Sequence, residues 1–135
     1  MINTKDLRIG NYVTEKKHGF NNDTNPFQIF SIYHEDNNSK INGLSINNFE
    51  PIKLTQEWLL KFGFSDNDYK KGYIGKDFKS GGMILDFVLS KPFSKGEWNN
   101  TYTFDFEGHR FSKMEFVHEL QNFYYCLTGV MLSLS

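Results

Sequence analysis

The segment EPIKLTQEWLLKFGF, Glu50 to Phe64, constrains the fold most because one kind of structure ends in it and another begins. Pro51 has no N–H to give to a sheet ladder and restricts Glu50 to extended geometry, so a strand is expected to end here. Thr55 is a favoured N-cap, Glu57 stands in the first turn where the helix dipole favours an anion, and Lys61 lies four residues beyond it. Leu54 and Leu59 have the spacing of a hydrophobic staple, and Gly63 supplies the left-handed residue that stops a helix. About two turns of helix do not persist alone. Trp58, Leu59 and Phe62 must therefore be held by packing, with Trp58 expected as a buried joint between the two halves of the chain. Burial of Trp58 and Phe62 contributes roughly 2 to 3 kcal/mol each, reason enough for their presence without a ligand-stacking role.

On the N-terminal side of this segment the pattern is of short strands between polar turns. Asn11 to Lys16 follows Gly10, Phe27 to His34 carries Ile29, Phe30, Ile32 and Tyr33, and Lys40 to Ile46 leads through Asn47 and Asn48 to Phe49. HGFNNDTNP and HEDNNSK read as Asn-rich loops. A strongly curved antiparallel sheet or SH3-like barrel is the expected form of residues 1–54.

Residues 55–135 alternate more cleanly. Tyr102, Phe104 and Phe106 oppose Thr101, Thr103, Asp105 and Glu107, the period-two pattern of a strand with one wet face. Met83, Leu85, Phe87 and Leu89 repeat it, and Tyr69 to Lys76 pairs beside them in a meander with loops at KSGG and KPFSKGEWNN. The last helix carries Val117, Leu120, Phe123, Tyr124 and Leu127 at helical spacing and stops at Gly129. Its start has two readings. Ser112 with Glu115 spells a capping box, whereas Glu107-Gly108 turns a hairpin into a strand through Met114; the hairpin is preferred, with the helix starting near Phe116. The expected class is α+β, in one compact domain of 135 residues.

Composition excludes more than it identifies. The single cysteine, Cys126, permits no intrachain disulfide and no cysteine zinc cluster, and points weakly to a reducing cytoplasm. MINTKDLRIG lacks the apolar run of a secretory signal or anchor, and no segment has the length of a membrane span. Lys and Arg balance Asp and Glu at 15 against 16, and no segment has the cationic excess that phosphate binding needs.

Each candidate for chemistry has a plainer explanation. His118 and Asn122 lie four apart with Glu115 three before, an arrangement that can hold an acid–base histidine with Glu115, Asn122 or His109 as orienters. No nucleophile is tied to them by spacing, and orientation of backbone where the helix meets the sheet is preferred. His18, His34, His109 and His118 show no H-x-x-x-H or H-E-x-x-H spacing, so neither a metal nor another cofactor is expected. Asp105 and Glu107 share a strand face about 7 Å apart but belong to its solvated side. YKKGYIGKDFK interleaves aromatic and basic residues, and Tyr69, Lys70, Lys71, Tyr73 and Lys76 are the candidate ligand or nucleic-acid residues. Asp66, Asp68 and Asp77 nearly cancel that charge, and the absence of a following GK[ST] excludes a phosphate loop.

Three segments in order, LRIGNYV, EPIKLTQEWLLKFGF and FVHELQNFYYCLTG, resemble an uncharacterised family of small proteins from Bacteroidetes bacteria and their phages and prophages. Val117, His118, Leu120, Gln121, Asn122, Leu127, Thr128 and Gly129 match its last block. The strands from Tyr69 to Phe106 lie outside the resemblance, and the ending VMLSLS departs from the more acidic tail of the family. The resemblance implies no enzyme activity and carries over no catalytic residue. It implies a non-catalytic accessory binding protein of phage or prophage type, acting in the host bacterial cytoplasm on a host protein or small ligand, with counter-defence as a role. The alternative is a small enzyme with His118 as acid or base, and the third reading is a nucleic-acid-binding small barrel or virion-associated structural protein. The apolar tail is the expected surface for a partner or for a homo-oligomer.

Overall fold

In the computed structural model, which describes residues 6–15, 26–34, 39–66, 72–80, 82–92, 101–106 and 109–134, the fold is α+β, with antiparallel strand pairs and two helices. The chain divides into two units. Met1–Lys53 with Phe116–Asn122 forms unit 1, and Leu54–Glu115 with Phe123–Ser135 forms unit 2.

Unit 1 holds two small three-stranded sheets. In one, β1 (Tyr12–Glu15) lies between β2 (Phe27–Gln28) and β6 (Phe49–Pro51). In the other, β4 (Lys40–Ile41) lies between β3 (Ile32–Tyr33) and β5 (Leu44–Ser45). Pro51 sits on an edge strand, where its missing N–H leaves no ladder bond unmade. Leu7, Val13, Ile29, Ile41 and Phe49 are the buried core, with Phe27, Ile32 and Ile46 packed against it.

Two strands expected to be continuous are each split in two. Phe27 to His34 breaks into β2 and β3, because the Asn42 side chain accepts the N–H groups of Phe30 and Ser31 at 2.8 and 3.1 Å and so bends the chain between them. Lys40 to Ile46 is a hairpin, not a strand. Asn42 and Gly43 take φ of 53° and 81°, so they form a two-residue turn between Ile41 and Leu44, the positive-φ Asn-Gly geometry that suits a twisted hairpin.

In unit 2 the short helix α1 (Gln56–Lys61) forms where its caps require: the Thr55 hydroxyl accepts from Trp58 N at 3.4 Å, and Leu54 and Leu59 are both buried. Trp58, 9% exposed, lies 5.6 Å from Phe62 ring to ring. Gly63 takes φ of 93° at the stop, and Lys76 Nζ donates to Phe62 O at 2.6 Å, placing a cation on the negative helix end. The five-stranded sheet then has the order β11 (His109–Met114), β10 (Tyr102–Phe106), β9 (Met83–Ser90), β8 (Tyr73–Ser80), β7 (Ser65–Asp66). Phe106 pairs with His109, so the hairpin rather than a Ser112 capping box precedes the last helix.

That helix, α2, spans Val117–Thr128. Phe116 is its cap: its N–H donates to Glu119 Oε1 at 2.9 Å and its carbonyl accepts from Leu120 N at 3.3 Å. This is half of a capping box, with Glu119 as the anion of the first turn. Within unit 1, Phe116 bridges to Lys53 and Val117 N donates to Ile52 O at 2.8 Å. In unit 2, Phe123 and Tyr124 join Phe64, Phe87 and Phe104 in an aromatic cluster with ring centroids 4.9 to 6.4 Å apart.

Two expectations about this unit are corrected. Thr103 is buried rather than on a wet face, as is its neighbour Tyr102. Leu127 is 49% exposed and lies outside the buried stripe that Val117, Leu120 and Tyr124 make. The tail is partly spent on its own chain, since Leu132 is buried and Met131 and Leu134 are half-buried.

Candidate functional site

The clearest departure from ordinary burial is on β8 and β9. The two strands pair over all eight residues, from Tyr73↔Ser90 to Ser80↔Met83. Their neighbours are shorter: β7 meets β8 only at Ile74 and Gly75, and β10 meets β9 only at Val88, Leu89 and Ser90. Among the described residues, the end comprising Asp77 to Ser80 and Met83 to Asp86 therefore has no further strand on either edge. Such an edge offers unpaired N–H and C=O groups to another chain.

Three consecutive apolar side chains are exposed at this end, beside the exposed Asp77, Lys79 and Asp86. Met83 is 64% exposed, Ile84 68% and Leu85 40%, whereas Phe87 and Leu89, further along the same strand, are buried. Alternation predicted Met83 and Leu85 in the core with Phe87 and Leu89, and only the last two are there. On the partner strand Phe78 stands opposite Leu85 and touches Tyr124 ring to ring at 6.2 Å, so one face of the exposed end continues the aromatic cluster. A buried base with an exposed apolar end is a surface suited to a partner.

On the other face Asp77 stands directly opposite Asp86. A hydrogen bond from one carboxyl to the other, then burial and the Asp77 charge, hold Asp86 above the ordinary carboxylate range. Facing carboxylates repel unless they share a proton. Lys79 against Asp77 and Asp86 gives the end no cationic excess, which suits an apolar partner better than a polyanion.

The candidates named from sequence fall elsewhere or are otherwise engaged. Lys76 caps α1, and Tyr73 lies at the covered end of β8. Tyr69, Lys70 and Lys71 lie outside the described residues, as does the side chain of His109. Glu115 is exposed while His118 is buried, and the Asn122 amide donates to Asp6 O at 2.7 Å and accepts from Asn11 Nδ2 at 2.9 Å. Gln121, wholly buried, accepts from Tyr12 N at 2.9 Å and donates to Gly10 O at 3.0 Å. The first and last blocks of the family resemblance thus meet in a hydrogen-bonded clamp between Gly10-Asn11-Tyr12 and Gln121-Asn122. Sequence reasoning gave Gln121 no role, since its bonds span more than a hundred residues. Among the described residues, no three of His, Cys, Asp and Glu converge as metal ligands, and no helix is long and apolar enough to cross a membrane.

Comparison with family models, with curated proteins and with solved structures finds no match to this chain.

Proposed function

We propose that this chain is a non-catalytic accessory binding protein that acts by occupying a partner protein through the exposed end of the β8–β9 ribbon. The observation that carries this reading is the run Met83-Ile84-Leu85, apolar and exposed on a strand pair whose outer edges carry no further strand among the described residues. A partner strand satisfies the edge and covers the side chains in one event, the mode of recognition in which backbone bonds give affinity and alternate side chains give specificity. The phage or prophage setting, the host cytoplasm as compartment and a counter-defence role rest on the resemblance of the three sequence blocks.

The test is capture on immobilised protein from lysate of a Bacteroidetes host, with a doubly charged variant, Ile84→Lys with Leu85→Lys, run beside it. A protein held by the wild-type chain and lost by the variant, at equal melting temperature, is the expected result. Equal capture by both, or none above background together with turnover of a substrate, overturns the reading.

A further inference from the structure

His118 occupies the second position of α2, 6% exposed, and its ring stacks nearly parallel to Phe116 with centroids 5.8 Å apart. Its Nδ1 is buried and, among the described residues, makes no hydrogen bond. A neutral imidazole tolerates one unbonded ring nitrogen, but an imidazolium has two N–H donors and a charge, and burying either without a partner is costly. The helix N-terminus adds its own positive end to that cost.

We infer that His118 makes the attachment of the first turn of α2 to unit 1 acid-sensitive: protonation of the ring expels it from its site and opens the bonds that Val117, Gln121 and Asn122 make there. The charged groups of the surrounding elements are Asp6 and Arg8 before β1, Glu50 and Lys53 at β6, and Glu115 and Glu119 beside the ring in sequence. The Glu119 carboxylate is engaged with Phe116 N. Asp6 favours the cation, but burial outweighs it and holds His118 below the ordinary histidine value of 6.5. The sign follows. With the folded value lowered, the unfolded or opened state binds the extra proton, so the attachment is at full strength above pH 6.5 and weakens as pH falls below it. Each unit between the two values shifts the opening equilibrium about tenfold.

The experiment is amide hydrogen exchange at pH 7.5 and 5.0, corrected for intrinsic rates, with a titration of the His118 ring by NMR. Protection of the Tyr12 and Val117 amides is expected to fall at pH 5.0, while the Ile74 and Leu89 amides of the second unit hold theirs. His118→Phe, which keeps the ring and removes the titration, is expected to abolish the difference, and His118→Gln serves if the phenylalanine fails to fold. A wild-type ring titrating at or above 6.5, pH-independent protection, or the same loss in a folded variant overturns the inference. The wild-type titration decides alone if neither variant folds.

Discussion

The two halves of α2 are held by opposite chemistry. In unit 1 the first half is fixed by polar groups: Gln121 bonds both Tyr12 N and Gly10 O, Asn122 bonds Asn11 and Asp6, and Val117 N reaches Ile52 O. In unit 2 the second half is fixed by rings, with Phe123 and Tyr124 both against Phe87 and Phe104 against Phe123. Directional bonds allow one register and fail if any partner is lost, because the partner left behind is buried and unsatisfied. Rings contribute by area and adapt their contacts, so they stabilise strongly but specify less. The polar bonds of the first half set where the helix sits on its unit, and apolar burial is shared between the halves, by Val117 and Leu120 in the first and Tyr124 in the second.

The largest test of this contrast is Phe87→Ala. Phe87 touches Phe64, Phe104, Phe123 and Tyr124, and its removal is expected to cost about 3 to 5 kcal/mol in chemical denaturation, while Phe87→Leu costs far less. An equal, large loss for both replacements breaks the claim that the aromatic half tolerates adjustment. Gln121→Leu comes next. It keeps much of the volume but takes the buried acceptor from Tyr12 N–H, at about 1 to 3 kcal/mol, while Gly10 C=O keeps the Gln28 amide as a donor. Rapid exchange of the Tyr12 amide accompanies it; a fully protected amide in that variant shows that the bond was not holding the clamp.

Thr55→Ala tests a purely local device and is expected to cost about 1 kcal/mol, read as a lower denaturation midpoint at unchanged slope. The smallest effect is electrostatic. Asp77→Asn removes the charge beside Asp86, whose NMR titration is then expected to return toward the ordinary carboxylate range. Because the Asp86 value is raised in the folded state, the pair favours the fold below the ordinary carboxylate value, and that contribution is lost as pH rises through the raised one. Asp77→Asn is therefore expected to flatten a slight decline in stability just above that range. An Asp86 titration unmoved by the substitution means that the pair is not coupled.

What the sequence by itself determined is whatever is settled within a few residues. Thr55, the Leu54 and Leu59 staple and Gly63 set the bounds of α1 locally, although packing must hold it, and Gly129, with φ of 75°, ends α2 where its spacing predicts. The start of α2 near Phe116 is also legible, and the capping anion there is Glu119 rather than the Glu115 of the alternative reading. The Asn42-Gly43 pair is itself a hairpin signal, which the apolar residues on either side of it mask by resembling one continuous strand. Tertiary structure alone decided the rest. Alternation states that Met83 and Phe87 share a face of β9, but burial also depends on how far the neighbouring strands extend, and among the described residues β10 pairs with β9 only as far as Val88. Period-two patterning carries no information about where a distant strand stops. Gln121 likewise resembles any polar helix residue until the fold brings Gly10 and Tyr12 to it, because a hydrogen bond across 109 positions leaves no trace in a local window.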